Sequence, residues 1–324
     1  MSAHGLLALL AAVCAALSMV EPVPQQRADP DFDTSVAVPA YVKTHPVVTI
    51  DQAHNNFHTA DGRYQPFAMI LRHDGYVVQA GRGSFTAEVL KPTNVLVIAN
   101  ALGAGATANT ETSPPAFTQA ECDAVRAWVE RGGSLLLVSD HTPMGAANAI
   151  LARTFGVTMG QGFVAMPDPV HHRAGVTQLV FSRANGLLAD HVITRGRTAG
   201  ERVTTVVTFT GQSLQGPPGA VTLLALGGDA WEAPSRAESQ ELAAEFRQPS
   251  YDAATFRTVH AVPAAGRAQG LAFSVGTGRV VVLGEAALLS AQISGADGLM
   301  GMNAPGSDDK QFALNVLHWL SRVL

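Results

Sequence analysis

Charged residues are scarce in this chain of 324 residues, and their scarcity excludes one class of partner. Asp, Glu, Lys and Arg make up 15% of the sequence, and the 21 Lys and Arg residues are scattered along it rather than clustered. A nucleic-acid-binding surface needs a basic stripe that displaces counterions from phosphates. The composition therefore predicts no nucleic-acid partner.

Cysteine is also nearly absent, since the sequence contains only Cys14 and Cys122. If the N-terminal leader described next is removed, Cys122 remains alone and no internal disulfide can form. Cys122 lies at helical spacing from Val125 and Val129, which places it on the buried face of a helix. We therefore expect Cys122 to be a small core residue rather than a nucleophile.

One apolar run, from Leu6 to Leu17, is long enough to be noticed but too short to cross a bilayer, which takes ~20 residues. It matches the hydrophobic region of a signal peptide, and Ala16-Leu17-Ser18 at its end fits a small-x-small cleavage site. We expect a signal peptide over 1–18, a periplasmic or secreted protein, and no transmembrane segment in the mature chain. An uncleaved anchor is the alternative, because no Lys or Arg precedes the run.

Residues 19–44 are predicted as a linker, since most of this stretch is rich in Pro and Asp without periodicity. From residue 45, short β-branched runs alternate with helical patterns, and the runs are apolar on both faces. The predicted strands are 47–50, 76–80, 94–100 and 134–140, and the predicted helices are 64–72, 118–131 and 146–155. This alternation predicts a flavodoxin-like, doubly wound α/β fold with a mostly parallel sheet.

The second half of the chain carries strands without helices between them. These predicted strands are 202–209, 221–226, 270–275 and 279–284, and Gly276-Thr277-Gly278 joins the last two as an antiparallel hairpin. The polar segment 228–257 reads as a surface excursion, and 308–324 as an amphipathic helix. Without a repeat or a second apolar core, we predict a single domain over 45–324.

Polar side chains follow several of the predicted strands at the point where each strand ends. Because ligands bind beyond the carboxyl ends of strands in an open parallel sheet, these side chains are the candidates for a site. The predicted catalytic residues are His54, Asp140, His141 and Glu285. The predicted substrate contacts are Asp51, Asn55, His58, Asn100, Gln292 and Asn303.

Three interpretations of this set stay open. A His–carboxylate pair can perform general acid–base catalysis, because the carboxylate fixes the tautomer and raises the basicity of the imidazole. His54 and His58 with a carboxylate could instead bind a divalent metal, although a metal cofactor is not what we expect. The polar residues could also simply bond backbone groups at the edge of the sheet. The loop 295–309 is either a connector or a lid that carries Asn303.

Two other stretches give weaker evidence for a functional site. Residues 211–215 lack the last glycine of a G-x-S-x-G nucleophile elbow. The pair His171-His172 follows two prolines in a loop, where we expect it to be solvated.

The segment LLADHVITRG (187–196), followed by Glu201, resembles the H-P-[IV]-T-x-G…E segment of the trehalose-utilisation (ThuA-like) branch of the class I glutamine-amidotransferase-like superfamily. The matching residues are His191, Ile193, Thr194, Gly196 and Glu201, with Val192 where the family usually has Pro. The resemblance implies an amidotransferase-like fold over about 45–324 and a carbohydrate-type ligand. The fourth strand ends in Ser139-Asp140-His141 rather than in a cysteine elbow, so thioester chemistry is not expected.

Two functions follow from these observations. The first is an exported enzyme, a hydrolase or sugar-processing enzyme without a cysteine nucleophile, that acts on a carbohydrate-type ligand. The alternative is a non-catalytic ligand-binding or scaffolding domain of the same fold. A catalytic site needs His54 or His141 within hydrogen-bond reach of a carboxylate and open to a pocket. In a binding module the same side chains would be bonded to the protein itself, with no cavity beside them.

Overall fold

The computed structural model describes residues 26–295 and 298–324. The predicted signal peptide, its cleavage site and Cys14 lie outside the described residues. The helices are α1 (Gln65–His73), α2 (Ala87–Leu90), α3 (Gln119–Glu130), α4 (Met144–Thr154), α5 (Val192–Arg195), α6 (Arg236–Glu245) and α7 (Asp309–Leu320). None of these helices is both long and apolar enough to cross a membrane.

Within the described residues the strands form one large sheet and three small ones. They are β1 (Arg27–Ala28), β2 (Val47–Asp51), β3 (Val77–Gly81), β4 (Val95–Ala99), β5 (Ser134–Val138), β6 (Thr158–Met159), β7 (Phe163–Ala165), β8 (Gln178–Ser182), β9 (Thr205–Phe209), β10 (Leu214–Gln215), β11 (Val221–Ala225), β12 (Trp231–Ala233), β13 (Val262–Pro263), β14 (Ala268–Val275), β15 (Gly278–Leu283), β16 (Ala291–Ser294) and β17 (Gly298–Gly301).

The large sheet has the order β3-β2-β4-β5-β15-β14-β10-β6, and β11 also pairs with β14. The pairs from β3 to β15 are all parallel, whereas β14 is antiparallel to β15, β10 and β11. The predicted flavodoxin-like α/β fold and the β14–β15 hairpin are confirmed. The antiparallel part is wider than the hairpin alone, because β10 and β11 add to the outer side of β14.

Helices cover both faces of this sheet. Alternate side chains of β4 face opposite ways, so that Val97 packs with α1 and α7 while Leu96 packs with α3 and α4. On the first face the fully buried rings of Phe67 and Phe312 fill the core, and on the second face Val125 does so. Because both faces are covered, every residue of β4 is buried, which is why the strand reads as a continuous apolar run.

A capping box begins α3. The hydroxyl of Thr118 accepts from the backbone N–H of Glu121 at 3.3 Å, and the Thr118 N–H donates to Glu121 Oε2 at 3.0 Å. At the other end the chain passes Gly132 at a φ of 114°, and a Cβ on Gly133 would meet the Trp128 ring at 2.2 Å. The two glycines therefore end the helix and let β5 begin directly beneath it.

The segment 228–257 is more than a polar excursion. It contains β12 and α6, and its apolar residues form a small separate core that includes Leu242 and Phe246. β12 pairs with β7 and β13 in a three-stranded sheet. The sequence hides this unit because its aromatic residues are spaced irregularly between polar ones, so no single period is visible.

Residues 26–46, which include most of the predicted linker, lie along the surface of the domain. β1 pairs with β16, and further on the backbone N–H of Ala40 donates to Asp74 Oδ1 at 2.7 Å. Asp74 follows α1, and its other oxygen accepts from His318 Nε2 of α7 at 2.7 Å. This buried carboxylate therefore connects the N-terminal segment to two helices.

Candidate functional site

His54 lies between two carboxylates. Its Nδ1 donates to Asp51 Oδ2 at 2.9 Å, and its Nε2 donates to Glu121 Oε1 at 2.9 Å. The ring is 8% exposed and packs between Phe85 and Phe117, with ring centroids 4.6 and 4.8 Å away. Both nitrogens are therefore occupied by partners from the protein itself, and neither is open to a ligand.

The electrostatics of this cluster favour a charged imidazole. Burial by itself lowers the pKa of His54, but the hydrogen bonds and charges of Asp51 and Glu121 outweigh it, so the pKa is raised. Burial likewise opposes ionisation of Glu121, but hydrogen bonds from Thr118 and His54 lower its pKa to about 2. The three side chains form a carboxylate–imidazolium–carboxylate bridge between the end of β2 and the start of α3.

A second group of predicted residues forms a chain of hydrogen bonds across β2, β4 and β5. Asn100 has a positive φ of 48°, and its Nδ2 donates to His58 Nδ1 at 3.2 Å. Its Oδ1 accepts from the backbone N–H of Asp140 at 2.8 Å. Burial, followed by the nearby charge of Arg63, lowers the pKa of His58 to about 3, so this imidazole is neutral.

Asp140 and His141 are the more accessible predicted catalytic residues, with side chains 16% and 17% exposed. His141 Nδ1 donates to the carbonyl of Thr142 at 2.8 Å, and its Nε2 lies 3.7 Å from Asp140 Oδ1. The ring stacks on Phe163 at a centroid distance of 3.9 Å. The stacking and the Nδ1 bond fix the orientation of the imidazole, while Nε2 is beyond ordinary hydrogen-bond distance of the carboxylate.

Glu285 is fully buried where β15 ends. Its two oxygens accept from the backbone N–H groups of Ala287 and Leu288, at 2.7 and 2.8 Å. Burial and then the charge of Asp140 raise its pKa well above the ordinary value, although the two N–H groups act in the opposite direction. Burial and the charges of Glu285 and Asp140 also raise the pKa of Tyr64. These groups are therefore neighbours, but Glu285 caps a short helical turn and has no exposed surface.

The remaining predicted contacts are also bonded within the protein. Asn55 donates to the carbonyl of Ala106 at 2.8 Å, and Gln292 donates to the hydroxyl of Ser290 at 2.7 Å. Asn303 Nδ2 donates to Asp29 Oδ2 at 2.9 Å. Through this bond the loop that carries Asn303 contacts the N-terminal segment, and the backbone N–H of Met302 donates to the carbonyl of Ser290, just after the end of β15.

The structure divides the predicted site into two parts. His58, Asn100, Asp140 and Glu285 come together, whereas Asp51 and His54 are joined to Glu121, which was not among the predicted site residues. Within 26–295 and 298–324, no group of three or more His, Cys, Asp and Glu side chains is arranged to hold a metal ion.

The histidine pair 171–172 differs from the expectation of a solvated loop. His171 Nδ1 donates to Asp229 Oδ1 at 2.7 Å, and the side chains of His171 and Asp229 are only 14% and 13% exposed. The other oxygen of Asp229 accepts from the backbone N–H of Asp168 at 2.8 Å. Sequence reasoning missed this pair because 58 positions separate its two members, so no short window contains both.

Asp229 lines a cavity of about 680 Å³, called here the aromatic cavity. Its other lining residues are Gly228, Ala230, Trp231, Tyr251, Ala253, Ala254, Phe256, Arg257 and Pro263. This cavity lies beside β12 and the segment that follows α6, and its lining includes none of the predicted catalytic residues.

The fold can be compared with solved structures. The mmIFT52 N-terminal domain matches this chain with a TM-score of 0.56 at 14% sequence identity, covering 85% of this chain and 97% of that domain. This chain shares the fold of that domain. At such low identity the likeness concerns the fold and not the activity.

Two ThuA-like proteins are structurally similar as well. The one from Bacteroides uniformis has a TM-score of 0.43 at 14% identity, covering 87% of this chain and 94% of that one. The one from Parabacteroides merdae has a TM-score of 0.42 at 11% identity, covering 86% and 90%. No protein-family model and no curated protein matches the sequence. Membership of the ThuA-like branch stays a prediction.

Residues 187–196 and Glu201, which resemble the ThuA-like motif, make contacts that stabilise the local backbone. His191 Nδ1 accepts from the N–H of Ile193 at 3.2 Å, and the His191 N–H donates to the hydroxyl of Thr194, which makes a capping box for α5. Gly196 has a φ of 70°, and a Cβ there would meet Glu201 at 2.4 Å. The short-range pattern is therefore explained by the geometry of α5.

Cys122 is expected to be chemically inert. The residue is fully buried, and burial raises the pKa of its thiol to about 11, so almost no thiolate forms at neutral pH. Cys122→Ala should cost at most ~1–2 kcal/mol of unfolding free energy, as for removal of a small buried group. A denaturant titration measures this cost, and the rate of maleimide labelling under native conditions measures the accessibility of the thiol. Rapid labelling of the folded protein would contradict this expectation.

Proposed function

We propose that this domain is a ligand-binding module that takes a carbohydrate-type small molecule in the aromatic cavity. The observation that carries the proposal is the lining of the cavity, which contains aromatic and polar side chains but none of the predicted catalytic groups. His54 and Glu285 are bonded to the protein itself, whereas a cavity of about 680 Å³ lies beside Trp231 and Asp229. This volume falls in the range of roughly 300–1,000 Å³ that is usual for small-molecule sites.

Aromatic rings form the apolar part of this cavity. Trp231 and Phe256 are perpendicular with centroids 5.2 Å apart, and Tyr251 lies 5.2 Å from Phe256 at an angle of 64°. All three rings are partly exposed and pack on the small core around Phe246. A sugar ring presents a face of C–H groups, and such a face packs well on flat, partly exposed aromatic surfaces.

Polar groups beside the rings suit hydroxyl groups. Asp229 is held by His171 and by the backbone of Asp168, so its carboxylate is oriented before a ligand arrives. Burial and nearby carboxylates, first Asp229, raise the pKa of Tyr251, which keeps the phenol as a hydrogen-bond donor at neutral pH. With the guanidinium of Arg257, the cavity offers both acceptors and donors.

The test is a titration of the protein with a panel of maltose, cellobiose, trehalose and their longer oligomers, followed by saturation-transfer NMR. We expect at least one saccharide to bind saturably, and Asp229→Asn or Trp231→Phe to weaken it by about tenfold, as for the loss of a charge-assisted hydrogen bond or a stacking surface. Asp123→Asn, which changes an exposed carboxylate on α3, should leave binding unchanged. Absence of binding across the panel would overturn the carbohydrate assignment.

A second candidate function is hydrolysis at the carboxyl ends of the strands, the activity that the sequence favoured. Its support is the partial exposure of Asp140 and His141, together with the raised pKa of Glu285 beside them. The same panel distinguishes the two functions. Release of smaller sugars that stops in Asp140→Asn but persists in Asp229→Asn would favour hydrolysis at this site and contradict a purely binding role.

A further inference from the structure

The charged groups around the aromatic cavity are mostly negative. Among the described residues that line it, Asp229 is the carboxylate and Arg257 is the cation. Two further carboxylates, Asp168 and Asp252, belong to the backbone segments that hold Asp229 and the aromatic rings. Three carboxylates and one guanidinium therefore determine the electrostatic potential of this space.

Asp168 is fixed beside Asp229 by the backbone. The N–H of Asp168 donates to Asp229 Oδ2 at 2.8 Å, and Asp168 Oδ1 accepts from the N–H of Val170 at 3.0 Å. The carbonyl of Asp168 also accepts from the N–H of His171, the residue that orients Asp229 from its other oxygen. Asp168 is exposed, so it adds a solvent-facing carboxylate next to the one that lines the cavity.

Asp252 begins the turn that carries two of the three aromatic rings. It directly follows Tyr251, and its carbonyl accepts from the N–H of Phe256 at 2.8 Å. Its Oδ1 accepts from the N–H of Ala254 at 3.0 Å. Tyr251, Ala254 and Phe256 all line the cavity. The turn therefore holds the Asp252 carboxylate next to this wall of the cavity.

The hydroxyl of Tyr251 lies in the field of all three carboxylates. After burial, the charges of Asp229, Asp168 and Asp252, in that order, raise the pKa of this phenol. Each charge opposes the formation of a phenolate, so the potential at the hydroxyl is negative. A negative potential attracts a positively charged ligand and repels an acidic one.

The guanidinium of Arg257 only partly offsets this potential. Its Nη1 donates to the carbonyl of Phe256 at 2.6 Å, and the residue is exposed to solvent. An exposed charge is screened by water and salt. Arg257 therefore lies at the solvent side of the cavity, whereas Asp229 is only 13% exposed.

The aromatic rings also favour a cation. Trp231, Tyr251 and Phe256 line the cavity and are partly exposed. The face of an aromatic ring attracts a cation within ~6 Å of its centroid, and tryptophan does so most strongly. A cationic group in this cavity thus gains from the rings and from the carboxylates at the same time.

We propose that the ligand of the aromatic cavity carries a protonated amine, so that its class is an amino sugar rather than a neutral or acidic sugar. The C–H face of the sugar packs on the rings, and the ammonium group lies toward Asp229 and the two exposed carboxylates. This inference rests on the function proposed above for the same cavity.

The probes are three disaccharides with the same β-1,4 linkage. Chitobiose carries two amines, cellobiose has hydroxyl groups in their place, and N,N′-diacetylchitobiose keeps the nitrogen atoms without their charge. Each is titrated into the full chain by calorimetry at mildly acidic pH. We expect chitobiose to bind about tenfold more tightly than the other two, as for one cation–π contact combined with partly exposed ion pairs. High salt should reduce this preference.

Charge variants test the origin of the preference. The double variant Asp168→Asn/Asp252→Asn keeps the side-chain acceptors, and it should lower the ratio of chitobiose to cellobiose affinity about fivefold. Arg257→Gln removes the opposing charge and should tighten chitobiose binding about twofold. Asp123→Asn, on α3, is the control and should leave the ratio unchanged. Thermal melts check that each variant is folded.

The possible failures can be told apart. Saturable binding of chitobiose and cellobiose with equal affinity would overturn the amino-sugar inference and leave the carbohydrate-binding function standing. Weaker binding of chitobiose by Arg257→Gln would overturn it as well, because the guanidinium would then contribute to binding rather than oppose it. Absence of binding by all three disaccharides and by the neutral panel would overturn both the inference and the proposed function.

Discussion

His54→Ala is expected to lower the free energy of unfolding by about 3–5 kcal/mol, the usual cost of removing one partner from a buried charged network. The side chain is the donor to both Asp51 and Glu121, and its removal leaves two carboxylates facing a vacated space between Phe85 and Phe117. A histidine without structural bonds would cost less than ~1 kcal/mol at such a position. His54 makes two such bonds, so the larger cost is expected.

Urea titrations of the wild type and of the variant measure this difference. His260→Ala is the matched control, because its ring is partly exposed and lies 3.9 Å from its acidic neighbour Glu245. The control should change stability by no more than ~0.5 kcal/mol, as for a surface substitution. A His54→Ala protein as stable as the control would show that the two carboxylates do not depend on the imidazole.

The stability provided by this cluster should depend on pH in a defined window. The raised pKa of His54 means that its contribution is complete below the unfolded value of 6.5 and is lost as the pH rises through the folded value. The lowered pKa of Glu121 means that its contribution is complete above 4.5 and is lost as the pH falls toward about 2. The difference between wild type and His54→Ala should therefore be largest between pH 4.5 and 6.5 and should shrink on either side.

Glu232→Ala is expected to destabilise the protein by roughly 3–5 kcal/mol, because it leaves several buried donors without an acceptor. Glu232 Oε1 accepts from the backbone N–H groups of Gly162 and Ser213, at 2.9 and 3.1 Å. Its other oxygen accepts from the Ser213 hydroxyl. The carboxylate is 5% exposed and joins β12 to β10 and to the loop before β7. Loss of this junction should also disturb Trp231, its neighbour in the aromatic cavity.

Glu232→Gln separates the hydrogen bonds from the charge. The amide oxygen can still accept from both backbone N–H groups, so this variant should cost less than ~1.5 kcal/mol. Glu241→Ala, which removes an exposed carboxylate on α6, is the control and should be nearly neutral. Thermal melts monitored by circular dichroism rank the three variants. Equal stability of Glu232→Ala and Glu241→Ala would contradict the role of Glu232 as a junction.

Much of the large sheet could be predicted because its signals are local. β4 and β5 are buried on both faces, so their sequences are continuous apolar runs. α3 begins at the Thr118 capping box and ends before Gly132. The same kind of signal did not reveal β12 or α6. Their small core joins residues from distant positions, such as Ala165 and Leu242, whose contacts no short window contains.

The sequence by itself determined which residues gather at the carboxyl ends of the parallel strands. Asn100 and Asp140 each follow an apolar run that predicts a parallel strand, so the sequence placed both at the same edge of the sheet, and the structure makes these two strands neighbours. Only the tertiary structure decided which of these side chains are already hydrogen-bonded within the protein and which could contact a ligand. The second nitrogen of His54 is occupied by Glu121, 67 positions away, and Asp229 is oriented by a histidine 58 positions before it. Such pairings depend on how the loops pack above the sheet, and loop packing is a property of the whole chain because each contact joins segments that no local propensity brings together.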